Sequence, residues 1–316
     1  MVSHVGKSVG RPLGAADGRR RPMATSIDDE LIAALQEDGR ASFSALAEQL
    51  GVPRSVVSAR VRELIESGAV RIVAAAAPAF LGESCLAHVS ITGRGELSGV
   101  VEELSGRDDI PLVSAISGSQ DLVVEVRAAD HEALFEVLAQ VRSFPEVARI
   151  RTAIYTEVLR GSFVSDYDGG GRVDEIDSEL VELLRHDGRI SYRDLARQVR
   201  LSPTAVRSRV RRMLDDRILR ISAVVTHSSH ARRVKVGVGL HLGGEDESVA
   251  RRLMGYPETE FAAMSFGPFD LIATLASSVP GDVFARLDDL KGLPGVTGME
   301  TWFHLKTLKE DYSRAI

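Results

Sequence analysis

IDDELIAALQEDGRASFSALAEQLG, residues Ile27 to Gly51, returns 149 positions later as IDSELVELLRHDGRISYRDLARQVR, residues Ile176 to Arg200. The register runs on without a gap to Arg71-Ile72 and Arg220-Ile221, with roughly 18 of 46 aligned residues identical. The same offset holds far downstream. Gly118-Ser119-Gln120-Asp121-Leu122 aligns with Gly267-Pro268-Phe269-Asp270-Leu271, and Phe144-Pro145-Glu146-Val147 with Leu293-Pro294-Gly295-Val296. Self-similarity at one fixed offset marks a duplicated unit. The chain therefore reads as a tandem duplication of about 150 residues per copy.

Each copy has two parts. The first carries helical periodicity, with Ile27, Leu31, Leu35, Leu46 and Leu50 in one copy and Ile176, Leu180, Leu184, Leu195 and Val199 in the other. Three helices are predicted per copy. Asp38-Gly39-Arg40 and Asp187-Gly188-Arg189 are expected to end the first, each Gly taking the left-handed conformation that closes a helix. Val57, Val61 and Leu64 line one face of the third helix, and Val206, Val210 and Met213 line its counterpart. The second part changes period. AHVSIT, LVSAIS, LVVEV and VARIRTAIYTEV read as strands, with helices over Glu96–Ser105 and His131–Arg142, in the order βαββαβ. The second copy gives VGVGLHL, FAAMSF, LIATLA and VTGMETWFHL, with helices over Glu247–Met254 and Gly281–Leu290. A four-stranded antiparallel sheet with helices on one face follows, and its other face needs a partner.

The fold class is thus α+β: two winged helix-turn-helix units alternating with two ferredoxin-like βαββαβ units. Expected boundaries are a basic disordered tail at 1–25, helix-turn-helix units at 26–82 and 176–231, βαββαβ domains at 83–163 and 232–312, and a Gly-rich linker at 164–175. The tail has two open readings: a basic arm attracted to phosphates, or a start assigned too early, with Met23 the first residue.

Composition bounds the function. The 316 residues carry a formal net charge of −6, so contact with nucleic acid must come from a local patch. One cysteine, Cys85, offers no internal disulfide and fits a reducing cytoplasm. No apolar stretch suggests a membrane span. No P-loop, GxSxG, HExxH or dinucleotide-binding glycine pattern occurs in a fitting context, and no cofactor is expected.

A tight turn before a third helix fits a helix-turn-helix, whose third helix enters the major groove. Ser202 is a good N-cap and Pro203 suits the first helical position. Thr204, Arg207, Ser208 and Arg211 fall opposite the apolar stripe and point outward, with Arg212 expected at a phosphate. In the first copy Pro53 replaces the capping serine, and Ser55, Ser58 and Arg62 take the outward positions. Charge separates the copies. Ile176–Ile221 holds eleven Arg against seven acids, whereas Ile27–Ile72 holds five against eight. The second unit should attract phosphates more strongly. Arg209 and its counterpart Arg60 suit a shared structural or backbone-contacting role.

The run from Ile176 through LSPTAVRSRVRRM, Leu201 to Met213, resembles the leucine-responsive regulator and asparagine regulator (Lrp/AsnC, feast/famine) family, and the βαββαβ part with GxxDL at its hairpin resembles that family's amino-acid-responsive RAM domain. The resemblance covers both copies. It implies a cytoplasmic, nucleoid-associated transcription regulator that binds double-stranded DNA, senses a small amino-acid-like effector and forms homo-oligomers through its RAM-like sheets. It places the effector near the turns Gly118/Asp121 and Gly267/Asp270, with Thr152 and Thr301 matching a threonine early in the last strand. Backbone N–H groups at a Gly turn can hold a carboxylate and Asp can receive an ammonium; a plain hairpin with a hydrogen-bonding Asp is the competing reading. Ordinary members carry one copy and pair two chains, so a fused chain could form the pair internally, giving unequal half-sites.

Two other functions compete. Decarboxylases of sirohaem-derived tetrapyrroles share the scaffold and need His and Arg aimed at substrate carboxylates; His227, His230, Arg232 and Arg233 form such a cluster, but the first copy has no counterpart. The same histidines lack an evident third metal ligand. An amino-acid-sensing interaction module without DNA binding would leave the arginine face incidental. Trp302, the single tryptophan, is expected in core or sheet-interface packing.

Overall fold

The computed structural model describes residues 27–161, 163, 167, 169–225 and 233–312. The first copy runs α1 (Ile27–Glu37), α2 (Phe43–Leu50), α3 (Arg54–Glu66), β1 (Val70–Ala76), β2 (Cys85–Gly93), α4 (Ser98–Ser105), β3 (Leu112–Ser117), β4 (Leu122–Ala128), α5 (His131–Ser143) and β5 (Val147–Arg160). The second repeats that order as α6 (Glu175–His186), α7 (Tyr192–Gln198), α8 (Pro203–Asp215), β6 (Leu219–Val225), β7 (Val234–Leu242), α9 (Asp246–Met254), β8 (Thr259–Phe266), β9 (Leu271–Ser277), α10 (Pro280–Lys291) and β10 (Val296–Glu310). The predicted tail and the His227, His230 and Arg232 cluster lie outside the described residues.

The two helical units share one core. Leu31, Leu35, Val57 and Val61 are buried in the same cluster as Leu180, Leu184, Val206 and Val210. Burying each such side chain contributes about 1.5–3 kcal/mol relative to exposure. The strands after the third helices seal the union: β1 pairs antiparallel with β6, from Val70 opposite Val225 to Ala76 opposite Leu219. Gly39 N donates to Ile221 O at 2.9 Å and Gly188 N to Ile72 O at 2.8 Å. Neither glycine is left-handed, contrary to the expectation from helix closure. The reason for glycine is crowding across the interface. A Cβ on Gly39 would stand 2.8 Å from Ile221 O, and one on Gly188 would stand 2.8 Å from Ile221 Cγ2. The adjoining arginines exploit that approach. Arg40 donates to the Gly188 and Ile190 carbonyls at 3.0 and 2.9 Å, and Arg189 donates to those of Gly39 and Ala41 at 3.0 and 2.9 Å.

The eight remaining strands close into a barrel, ordered β10-β3-β4-β2-β5-β8-β9-β7. Each copy contributes four neighbouring strands, and two long strands make the seams. β5 pairs with β2 from Val147 to Ile154, then with β8 from Ile154 to Arg160. β10 pairs with β7 from Val296 to Phe303, then with β3 from Phe303 to Glu310. A strand of 14 or 15 residues beside a partner of nine overhangs its own sheet, and the unpaired N–H and C=O groups of the overhang require a second partner. The sheet pairing expected between chains thus takes place inside one chain, and the barrel keeps no open edge. Trp302, Phe269, Ile116, Val123, Ala153 and Ile272 pack in the barrel interior.

Candidate DNA-reading and effector sites

Helix α8 starts as its sequence requires. Ser202 is its N-cap and accepts from Ala205 N at 3.2 Å, with Pro203 in the first turn, whereas Pro53 gives α3 no side-chain cap. Val206, Val210 and Met213 are buried, while Thr204, Arg207, Ser208 and Arg211 are exposed. Arg207 has no hydrogen bond or ion pair among the described residues, and Arg211 only approaches Asp215 at 3.9 Å. On α3, Ser55 and Arg62 are exposed and Ser58 is half-buried, donating to the Ser55 carbonyl at 3.1 Å. Val56 presents an apolar side chain to solvent beside them.

Three other arginines of these helices, Arg60, Arg209 and Arg212, pair with acids of the first helices and their caps. Arg209 donates to Asp174 at 2.7 Å and to Asp177 at 2.9 Å. Its counterpart Arg60 binds Asp28 through two nitrogens at 2.5 Å. The Asp28 and Glu63 carboxylates raise the Arg60 pKa, and the Arg209 hydrogen bond holds Asp174 below its ordinary value. Both therefore brace the third helix against the first. Arg212 is engaged as well: it donates to the Arg172 carbonyl at 2.7 Å and pairs with Asp177. A phosphate contact by Arg212 requires exchange of these partners, a competition that its sequence position does not reveal.

The glycine turns are left-handed, with φ +135° at Gly118 and +141° at Gly267. The structure decides which threonine stands beside which turn. A Cβ on Gly118 would stand 3.8 Å from the carbonyl oxygen of Thr301, and one on Gly267 would stand 2.6 Å from that of Thr152. Each turn thus abuts the threonine of the other copy, because β10 crosses to β3 and β5 to β8. Asp121 Oδ2 accepts from Gly93 N and Asp270 Oδ2 from Leu242 N, both at 2.8 Å, so each carboxylate latches its hairpin to a neighbouring strand. Thr152 borders an open cleft lined also by Arg94, Arg142 and Arg149. At the equivalent positions of the second copy stand Gly243, Lys291 and Gly298. Sequence reasoning missed these arginines because they sit on three separate elements.

Arg151 and Glu300, equivalent residues of the two copies, meet in an ion pair at 2.9 Å. Trp302 is buried, its indole occupying the space over Gly237 and lying 5.4 Å from the His88 ring. Burial, reinforced by Arg151, lowers the His88 pKa to about 4, so that imidazole is neutral near pH 7. Among the described residues no group of three His, Cys, Asp or Glu could hold a metal ion, and no helix is long and apolar enough to cross a membrane.

Comparison with known proteins agrees with this geometry. In whole-chain fold the protein is similar to the siroheme decarboxylase NirDL, with a TM-score of 0.60, 14% identity, and coverage of 92% of this chain and 94% of that one. At that identity the likeness is one of fold. In sequence it is similar to the HTH-type transcriptional regulator AldR of Mycolicibacterium smegmatis, 31% identical over 48% of this chain and 91% of that protein. It is also similar to an uncharacterized HTH-type transcriptional regulator of Pyrococcus abyssi, 29% identical over 46% of this chain and 93% of that protein. The AsnC-type helix-turn-helix domain matches residues 25–65 and again 173–214, and the Lrp/AsnC ligand binding domain matches residues 84–162. The chain belongs to the Lrp/AsnC family, with the family's helix-turn-helix present twice.

Proposed function

We propose that the protein is a sequence-specific DNA-binding transcriptional regulator of the cytoplasm, its promoter binding modulated by a small amino-acid-like effector. The observation that supports this most directly is the union of two helix-turn-helix units in one core with third helices of unequal outward charge. Two equal helices match a palindrome, whereas two unequal helices match unequal half-sites. Arg207 and Arg211 of α8 supply the stronger contacts, with Thr204 and Ser208 near base edges. Ser55, Ser58 and Arg62 of α3 read the weaker half. The effector's carboxylate lies at the composite Gly267 and Thr152 turn, and the arginine-lined cleft that Thr152 borders favours an anion. The matching Gly118 and Thr301 turn lacks that charge. Further chains associate through surfaces other than edges of the barrel, since the barrel leaves none open. The reading assigns no catalytic step, in keeping with sequence relatives named as transcriptional regulators.

The test is selection from random double-stranded DNA with the full chain, with and without a panel of amino acids. An asymmetric motif is expected. The Arg207→Ala change should weaken binding by about 1–3 kcal/mol, and Arg62→Ala by less. Absence of any enriched sequence, with binding lost at modest salt, would overturn the reading.

A further inference from the structure

The end of the barrel nearest the helix-turn-helix pair contains a cavity of about 70 Å³, space enough for more than a single water. Gln36 of α1 and Ala223 and Val225 of β6 cover it, so its contents touch the DNA-binding body directly. It is separate from the glycine turns. Leu112 and Phe261, near the starts of β3 and β8, line the cavity, whereas Gly118 and Gly267 follow the far ends of the same strands.

Aromatic rings from both copies wall it: Tyr155 and Phe261, with centroids 5.3 Å apart, and Trp302. Three carboxylates, Glu125, Glu260 and Glu310, also line it. Two have cations of their own. Glu125 receives Arg127 at 2.8 Å, and Glu260 receives Arg233 at 2.5 Å and Lys235 at 3.1 Å. Glu310 forms no ion pair among the described residues, and its Oε2 is buried without a hydrogen-bond partner, as is Oγ1 of Thr307, which lines the same cavity. A buried oxygen without a donor is costly, and aromatic faces attract cations. We infer that this cavity binds a compact alkylammonium ion, its N–H groups donating to Glu310 and Thr307 and its charge resting against the aromatic walls.

The electrostatics fit that guest. Burial, with the nearby Glu260 and Glu125 carboxylates, raises the Glu310 pKa above its ordinary value, against the pull of Lys235 on β7 and Arg71 on β1. A cation entering the cavity competes with a proton for Glu310. Binding therefore strengthens as pH rises, until Glu310 ionises without help. The inference does not rest on the DNA-binding reading, because its test uses no DNA.

Trp302, the chain's single tryptophan, is the reporter. Methylammonium chloride is titrated into the full chain against sodium chloride at equal ionic strength, with Trp302 emission recorded. The expected result is a saturable change seen with methylammonium alone, tightening as pH rises through the Glu310 titration. Glu310→Gln, a neutral isostere, should weaken it by about tenfold or more. Should that variant fail to fold, the pH dependence of the unaltered chain decides. An unsaturable response, one shared with sodium, one unchanged by Glu310→Gln, or one that weakens with rising pH would each overturn the inference.

Discussion

The two copies share a fold and differ at the positions where they meet. At the barrel centre the first copy has His88 and Ala153 where the second has Gly237 and Trp302. One tryptophan fills the space that two symmetric residues would contest, and glycine clears its place. At the seam, Arg151 of one copy faces Glu300 of the other, equivalent positions with opposite charges. Pairing like copy with like would set Arg against Arg and Glu against Glu. The difference teaches that duplication freed each copy to become complementary to the other, which two identical chains cannot do.

The largest expected effect comes from copying one half into the other. Gly237→His brings a Cβ to 2.0 Å from Trp302 Nε1 and should cost more than about 3 kcal/mol in urea unfolding. Adding Trp302→Ala recreates the His and Ala combination of the first copy and should recover part of that loss. No recovery would show that the copies differ there for another reason.

The next effect is a pH dependence found only in the first copy. His88 has its pKa lowered from 6.5 to about 4 by burial. A lowered pKa contributes stability that is complete above the unfolded value and is lost as pH falls towards the folded one. Stability should therefore fall between about pH 6.5 and pH 4, by on the order of 3 kcal/mol in all. In His88→Asn this component should be missing from unfolding curves across the window.

The smallest effect tests the seam. Arg151→Glu should cost about 1 kcal/mol, since the pair is partly exposed, and adding Glu300→Arg should restore most of it. A double-mutant cycle without coupling would remove this pair from the account of why the copies prefer each other.

Much of this was legible in the sequence. The 149-residue offset is a match of the string with itself, and the apolar stripes of α3 and α8, the Ser202 cap and the βαββαβ order are local patterns, set by residues a few positions apart. The inward roles of Arg209 and Arg212 depend on Asp174 and Asp177, more than thirty positions away, and no local period reports them. Which threonine stands beside which glycine turn was not legible, because β5 and β10 change partners halfway along their length.

The sequence by itself therefore determined the elements, their duplication, and the unequal charge of the two reading helices. Propensity, capping and hydrophobic period act within a few residues, so a linear string carries them. Only the tertiary structure decided that the copies pair with each other, that glycines 39 and 188 serve close approach in place of helix closure, and that the barrel encloses Glu310 without a cation of its own. Those outcomes arise where strands from opposite ends of the chain compete for the same hydrogen-bonding edges and the same buried space, and that competition is settled only when the chain is folded.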